Sequence, residues 1–208
     1  PKPSSAASDV YKRQAPYIQA DLCDPDKARE VLKGADALIH MGAIPGAAGA
    51  PGMPPAISPT DVFEINVQST FNIMMAASDE KIQRVVFSSS PFAMGWAHDP
   101  SAFVPKYLPL DEEHPLMPFD TYGLSKQIGE NIAEMISQTS SMSVASLRFT
   151  NTPFPEVQAE FPWPAPTPEN PLTLMTWAYA DQRDVVEMHL LALRGEFEGH
   201  EPFLIAQP

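Results

Sequence analysis

One cysteine, Cys23, is all that 208 residues provide, so no internal disulfide can form, and a small buried apolar side chain is its plainest reading. Positive charge is scarce. Thirteen lysines and arginines face 26 aspartates and glutamates, for a net charge of -13. The phosphate attraction that drives binding to nucleic acid or to anionic membrane is therefore missing, and neither partner is expected. No apolar run approaches the ~18 to 20 residues that span a bilayer, and the opening residues lack the apolar stretch of a secretory signal. A cytoplasmic protein is the expectation. The five histidines, His40, His98, His114, His189 and His200, fall into no HExxH or Cys/His ligand spacing, so no metal site is expected. With 24 prolines and 10 glycines the chain is too poor in both to be called disordered.

What is present alternates. Residues 1–14, "PKPSSAASDVYKRQ", have neither strand nor helix periodicity and resemble a translated adaptor or read-end sequence, which would make them a non-native leader. From residue 15 the periodic chain begins. "YIQA" (17–20) is a short strand candidate, 24–35 an amphipathic helix capped by Asp24, and "DALIHMGA" (36–43) a buried strand. After a Gly/Pro/Ala loop, Ser58 and Pro59 read as cap and first turn of a long helix. "RVVFSSS" (84–90) is a buried strand, a Pro-rich stretch fills 91–118, and a helix runs from about Thr121 to Ser137. "SVASLRF" (143–149) is the next strand, 153–171 a second Pro-rich stretch, 181–195 a helix and "PFLIA" (202–206) a last strand. Strands alternating with helices argue an α/β fold, a doubly wound, Rossmann-like parallel sheet with sites on the loops after its strands.

Within the helix from Thr121, Tyr122 and Lys126 stand four residues apart and share a face. Two readings are open at this level: a catalytic pair, or a packed tyrosine with Lys126 paired to Glu130 in solvent. Ser90, at the end of "VVFSSS", is either a turn former or a polar group at the carboxyl edge of the sheet, the edge beside which the alternation brings the Tyr122 helix.

Several motifs in one order then resemble a known family. "ADLCD", "DALIHMGA", "FEINVQSTFNIMMAA", "VFSSS", "YGLSK", "LRFTN" and "YADQRDVVEMHLLAL" are together similar to the extended short-chain dehydrogenases/reductases, the NAD-dependent epimerase/dehydratase family, from about residue 15 to 207. The resemblance implies a partial NAD(P)-binding domain over 15–208, with parts of the substrate-binding region at about 91–118 and 151–180. It implies that Tyr122 is a base, that Lys126 stabilises its phenolate and holds the nicotinamide ribose, and that Ser90 hydrogen-bonds the reacting oxygen. A free tyrosine, with a pKa of ~10, needs such an ammonium to work at neutral pH. Asp21 and Leu22 would meet the adenine end of NAD or NADP, Gly42 and Ala43 would pass along the dinucleotide, and Asn151 would face substrate. Asp21 also suits a simple turn, His40 a satisfied core histidine, and Asn66 a buried polar group that positions the site. Arg183 and Asp184 match a pair that opens a late helix and read as structural.

The implied substrate is a hydroxyl of a sugar or nucleotide sugar, worked on by an epimerase or dehydrogenase. The alternatives are a uronate-dehydrogenase-like simple oxidoreductase and a non-catalytic dinucleotide-binding relative. Pro91 and Phe92 stand where dehydratases of the family place acidic residues, which argues against dehydration. Ala93-Met94-Gly95 and Phe154 depart from the family pattern around the pocket. The strand, glycine-rich turn and helix with which the family begins, and its second strand, are expected to be missing from this chain altogether. The expectation is an internal fragment, incomplete at both ends and inactive alone, with "YIQA" lacking its parallel neighbours. Members of the family often dimerise through the helices that start here at Ser58 and Thr121, so a homodimer is the matching expectation.

Overall fold

The computed structural model describes residues 16–45, 57–96, 104–152 and 179–206. The leader, most of the loop at 44–57, residues 97–103 and the second Pro-rich stretch with Phe154 lie outside the described residues.

The elements, in chain order, are α1 (Pro25–Leu32), β1 (Leu38–His40), α2 (Pro59–Asp79), β2 (Arg84–Ser88), a 3-10 turn (Pro91–Met94), α3 (Thr121–Thr139), β3 (Ser143–Phe149), α4 (Gln182–Arg194) and β4 (His200–Ile205). Helix starts follow local chemistry. Asp24 accepts from Asp26 N at 2.9 Å, and Ser58 from Asp61 N at 3.0 Å with Pro59 in the first turn, so amide donors that the helices leave orphaned are satisfied. The cap of α3 is Asp120, whose Oδ1 accepts from Gly123 N at 2.7 Å.

The four strands form one parallel sheet in the order β1-β2-β3-β4, with Leu38 beside Val85, Val85 beside Val144, and Val144 beside His200. Strand residues alternate between faces. Val85, Phe87 and Val144 join Ile73, Met74, Ile132 and Ile136 under α1, α2 and α3, whereas Val86, Ala145 and Leu147 join Val185 and Ala192 under α4. Burying each such branched or aromatic side chain contributes roughly 1.5 to 3 kcal/mol. Both faces of the sheet are thus covered, as the strand-helix alternation predicts.

Residues 17–20 correct the reading of "YIQA". They adopt no regular structure, and Tyr17 and Ile18 are 61% and 64% exposed. A strand forms only where a neighbour supplies its ladder bonds, and among the described residues the sheet begins at β1. The strands read at 36–43 and 84–90 are also shorter than expected, at three and five residues. The second ends because Ser89 N bonds back to Phe87 O at 3.0 Å, turning the chain at Ser88.

Two close approaches fix α3. A Cβ at Gly123 would run into the Phe92 carbonyl, and one at Gly129 into the Phe87 ring. Helix α3 therefore rests directly on the turn after β2 and on β2 itself.

Candidate active site

All four strands run the same way, so His40, Ser88, Phe149 and Ile205 end on one edge of the sheet. The first turns of α3 are packed against that edge. Ser90, just beyond β2, accepts from Phe92 N at 3.3 Å, and its hydroxyl lies near enough to the Tyr122 phenol to favour the ionised form. The Phe92 and Tyr122 rings meet edge to face at 5.7 Å between centroids. One helical turn on, Lys126 is 4% exposed, and its ammonium donates to Ser88 O at 2.6 Å. It also lies 5.0 Å from the Phe87 ring centroid and 5.5 Å from that of Tyr122. Sequence reasoning placed Ser90, Tyr122 and Lys126 at one edge, and the fold gathers them there.

Electrostatically the site rests in its protonated form. Burial pushes the Tyr122 phenol up to about 12, opposed by the neighbouring Ser90 hydroxyl and aided by the Asp120 charge. The lowering by Lys126 expected from sequence is absent from those influences, because desolvation dominates and the ammonium is held on the Ser88 carbonyl. Burial likewise pushes Lys126 down to about 8, against the pull of the Glu130 carboxylate. An ammonium has three donors; the bond to Ser88 leaves two to meet a phenolate or the hydroxyls of a ribose. That supply of donors beside a tyrosine is the fit of these residues to the nicotinamide end of a dinucleotide.

The depressed Lys126 value carries a stability consequence. Between pH 8 and 10.5 the unfolded chain binds more protons at this group than the folded one, so stability rises with pH across that window. Below it the burial penalty, on the order of 3 kcal/mol, is fully present. Urea unfolding of the native protein and Lys126→Met, followed from pH 7 to 10, should show curves that converge on the native side as pH rises. Parallel curves would contradict the burial of a charged Lys126.

Glu130 disposes of the solvent-pair reading. It is 3% exposed and pairs not with Lys126 but with Arg148, Nε to Oε1 at 2.9 Å and Nη2 to Oε2 at 2.7 Å, while Ser89 Oγ donates to Oε1 at 2.5 Å. Arg148 also donates to Glu112 O at 3.0 Å, and Glu112 Oε1 accepts from Leu204 N at 2.7 Å. The Glu112 loop, β3, β4 and α3 are thereby joined beneath the Ser90 edge.

The other sequence candidates are held by bonds of their own. Asn66, buried on α2, accepts from Ile44 N at 2.7 Å and donates to Ile44 O at 3.0 Å and to Ser125 Oγ at 3.1 Å. Ser125 donates in turn to Tyr122 O at 2.7 Å, so Asn66 ties the loop after β1 to the start of α3. Gly42 and Ala43 lie in that loop. Asp21 makes a turn, accepting from Cys23 N at 2.9 Å, and Leu22 O accepts from Asn72 Nδ2 at 3.0 Å. Asn72, an unflagged helix position in the sequence, holds this turn to α2. Asn151 is bridged to Tyr179 just beyond β3, at the same sheet edge. His40 is a core histidine, bonded through Nε2 to Thr70 Oγ1 at 3.0 Å, stacked on Phe87, and pushed down to about 4 by burial and by the Lys126 charge. Arg183 pairs with Asp181, the cap of α4, at 2.9 Å.

One spacing the sequence reading passed over is Gly46, Gly49 and Gly52, which repeat at the interval of the family's glycine turn. Their positions are outside the described residues. The dinucleotide motif leads directly into a helix, whereas here the sequence places Pro51, Pro54 and Pro55 at and after the last of these glycines, ahead of the described helix that begins at Pro59.

Comparison with known proteins identifies the family and the fold. The sequence model of the NAD dependent epimerase/dehydratase family matches residues 2–161. The chain belongs to that family. Among curated relatives, it is 30% identical to a putative UDP-glucose 4-epimerase of Methanocaldococcus jannaschii, over 66% of this chain and 42% of that protein. It is 27% identical to a uronate dehydrogenase of Pseudomonas syringae pv. tomato, over 77% of this chain and 48% of that protein. The chain spans about half the length of these relatives. Uronate dehydrogenase from Agrobacterium tumefaciens has the same fold, with a TM-score of 0.64 at 22% identity over 90% of this chain and 59% of that one. A short-chain dehydrogenase/reductase superfamily protein from the same organism, solved with bound NAD, gives a TM-score of 0.69 at 23% identity over 90% of this chain and 64% of that one. Among the described residues, no helix is long and apolar enough to cross a membrane, and no group of His, Cys, Asp and Glu could hold a metal ion.

Proposed function

We propose that this chain carries the nicotinamide-end catalytic group of an NAD(P)-dependent oxidoreductase or epimerase that acts on a hydroxyl of a sugar or nucleotide sugar. The observation that carries the reading is the meeting of Ser90, Tyr122 and Lys126 at one sheet edge, with the serine beside the phenol and the buried ammonium one turn away. A nicotinamide ring, when bound, is the hydride acceptor. Tyr122 takes the hydroxyl proton, Ser90 orients the oxygen that loses it, and Lys126 offsets the phenolate charge while its remaining donors reach the ribose. A tyrosine resting near 12 is a poor base until that ammonium engages it. In this reading Asn151, at the same edge, would face the sugar, which its position just beyond β3 supports.

Both kinds of relative agree with this reading, the UDP-glucose 4-epimerase and the uronate dehydrogenases. The second, simple oxidation, draws support from the number of uronate dehydrogenases among the similar proteins. The protein that carries this chain, incubated with NAD+ or NADP+ and either UDP-glucose or free glucuronate, separates the two. An epimerase converts the nucleotide sugar without net cofactor reduction, whereas a dehydrogenase accumulates reduced cofactor with the free acid. Dinucleotide binding with no conversion of either sugar would overturn both in favour of a non-catalytic relative.

A further inference from the structure

We propose that His189, on the opposite face of the sheet from the site, is a positioning residue for the Lys126 ammonium and acts through Ser88. The inference rests on the reading of Lys126 as part of the site. Ser88 is the last residue of β2, where the chain turns away from the ladder. Its two polar groups are engaged from opposite sides of the sheet: the carbonyl accepts from Lys126 Nζ of α3 at 2.6 Å, and the hydroxyl meets His189 Nε2 of α4 at 2.9 Å.

The histidine's own partner fixes the direction of the second bond. His189 Nδ1 lies 2.7 Å from Val185 O, and a carbonyl oxygen only accepts, so Nδ1 carries the ring proton. Nε2 is then an acceptor and the Ser88 hydroxyl donates to it. The ring itself is 4% exposed and lies against Phe149 at 5.8 Å between centroids, so it has little room to turn. Ser88 is thus clamped at the point where its carbonyl must aim at the ammonium. The carbonyl favours the charged form of Lys126, since it can only accept. The other groups acting on this ammonium are Glu130 from its own helix, His40 from β1, the Phe87 ring from β2 and the Tyr122 ring.

The test reads Lys126 itself and does not need turnover. Carbon-13 NMR of ε-labelled lysine gives each titration, with the Lys126 signal identified as the one missing from Lys126→Arg. His189→Leu and Ser88→Ala should both lower the Lys126 midpoint by about half a unit or more, because the carbonyl is no longer held on the ammonium. His189→Gln, whose amide oxygen can accept the serine hydroxyl, should restore the native midpoint. The double variant Ser88→Ala with His189→Leu should shift it no further than either alone. An unchanged midpoint in Ser88→Ala, or additive shifts in the double variant, would overturn the proposal. Ser88→Ala carries the test if His189→Leu does not fold. The failure of the functional reading is a different result: Tyr122→Phe would then keep full turnover while the Lys126 midpoint still followed Ser88 and His189.

Discussion

Tyr122→Phe should reduce turnover in the protein that carries this chain by about 10² to 10⁴-fold, the range that a positioned acid or base contributes. Dinucleotide affinity should change by less than about twofold, because the substitution deletes one oxygen and keeps the ring that packs on Phe92. The separation of these two effects is the informative part. Ser90 would keep the amide of Phe92, and Lys126 would keep the Ser88 carbonyl, so the frame of the site survives. Steady-state kinetics beside a fluorescence titration of the dinucleotide give both readings. Turnover at the native level would remove Tyr122 from the chemistry and leave it as a packed aromatic at the start of a helix.

The largest stability effect should come from Glu130. Glu130→Ala leaves the Arg148 guanidinium buried without its carboxylate, and breaking such a pair typically costs about 3 to 5 kcal/mol. Arg148→Met should be comparably damaging, since a carboxylate then stays buried with only the Ser89 hydroxyl, and the hold on Glu112 is also lost. The double variant Glu130→Ala with Arg148→Met should be less destabilised than the sum of the two singles, because no charge is left stranded. Chemical denaturation of the four proteins completes the cycle. Strict additivity would mean that the pair contributes as two independent packing groups. Removal of Glu130 also takes away the one negative charge that raises Lys126, so the lysine midpoint should fall further in Glu130→Gln.

Much of this fold was readable from residues with local signatures. Asp24, Ser58 and Pro59 announced their helices, the run Ser143–Phe149 matched its strand residue for residue, and four-residue spacing put Tyr122 and Lys126 on one face. "YIQA" misled because alternation describes a strand's side chains, whereas its existence depends on a neighbour elsewhere in the chain. Glu130 misled for a related reason: spacing on a helix says which residues share a face and not which face is buried, nor that Arg148 waits there from β3. The Ser88–His189 contact spans 101 positions and joins two faces of the sheet, so no local pattern could have flagged it. The ionisation of Tyr122 was legible in kind, as a phenol near an ammonium, but its sign was decided by burial, which spacing does not report.

The Gly123 contact sets a limit on how this site can change. Helix α3 abuts the Phe92 carbonyl main chain to main chain, with no side chain between them to lengthen or shorten. The span from the serine to the tyrosine is consequently a property of the backbone, and ordinary substitutions around it cannot retune that span by degrees. If Ser90 and Tyr122 act as proposed, divergence toward a different substrate would have to come from residues away from this contact.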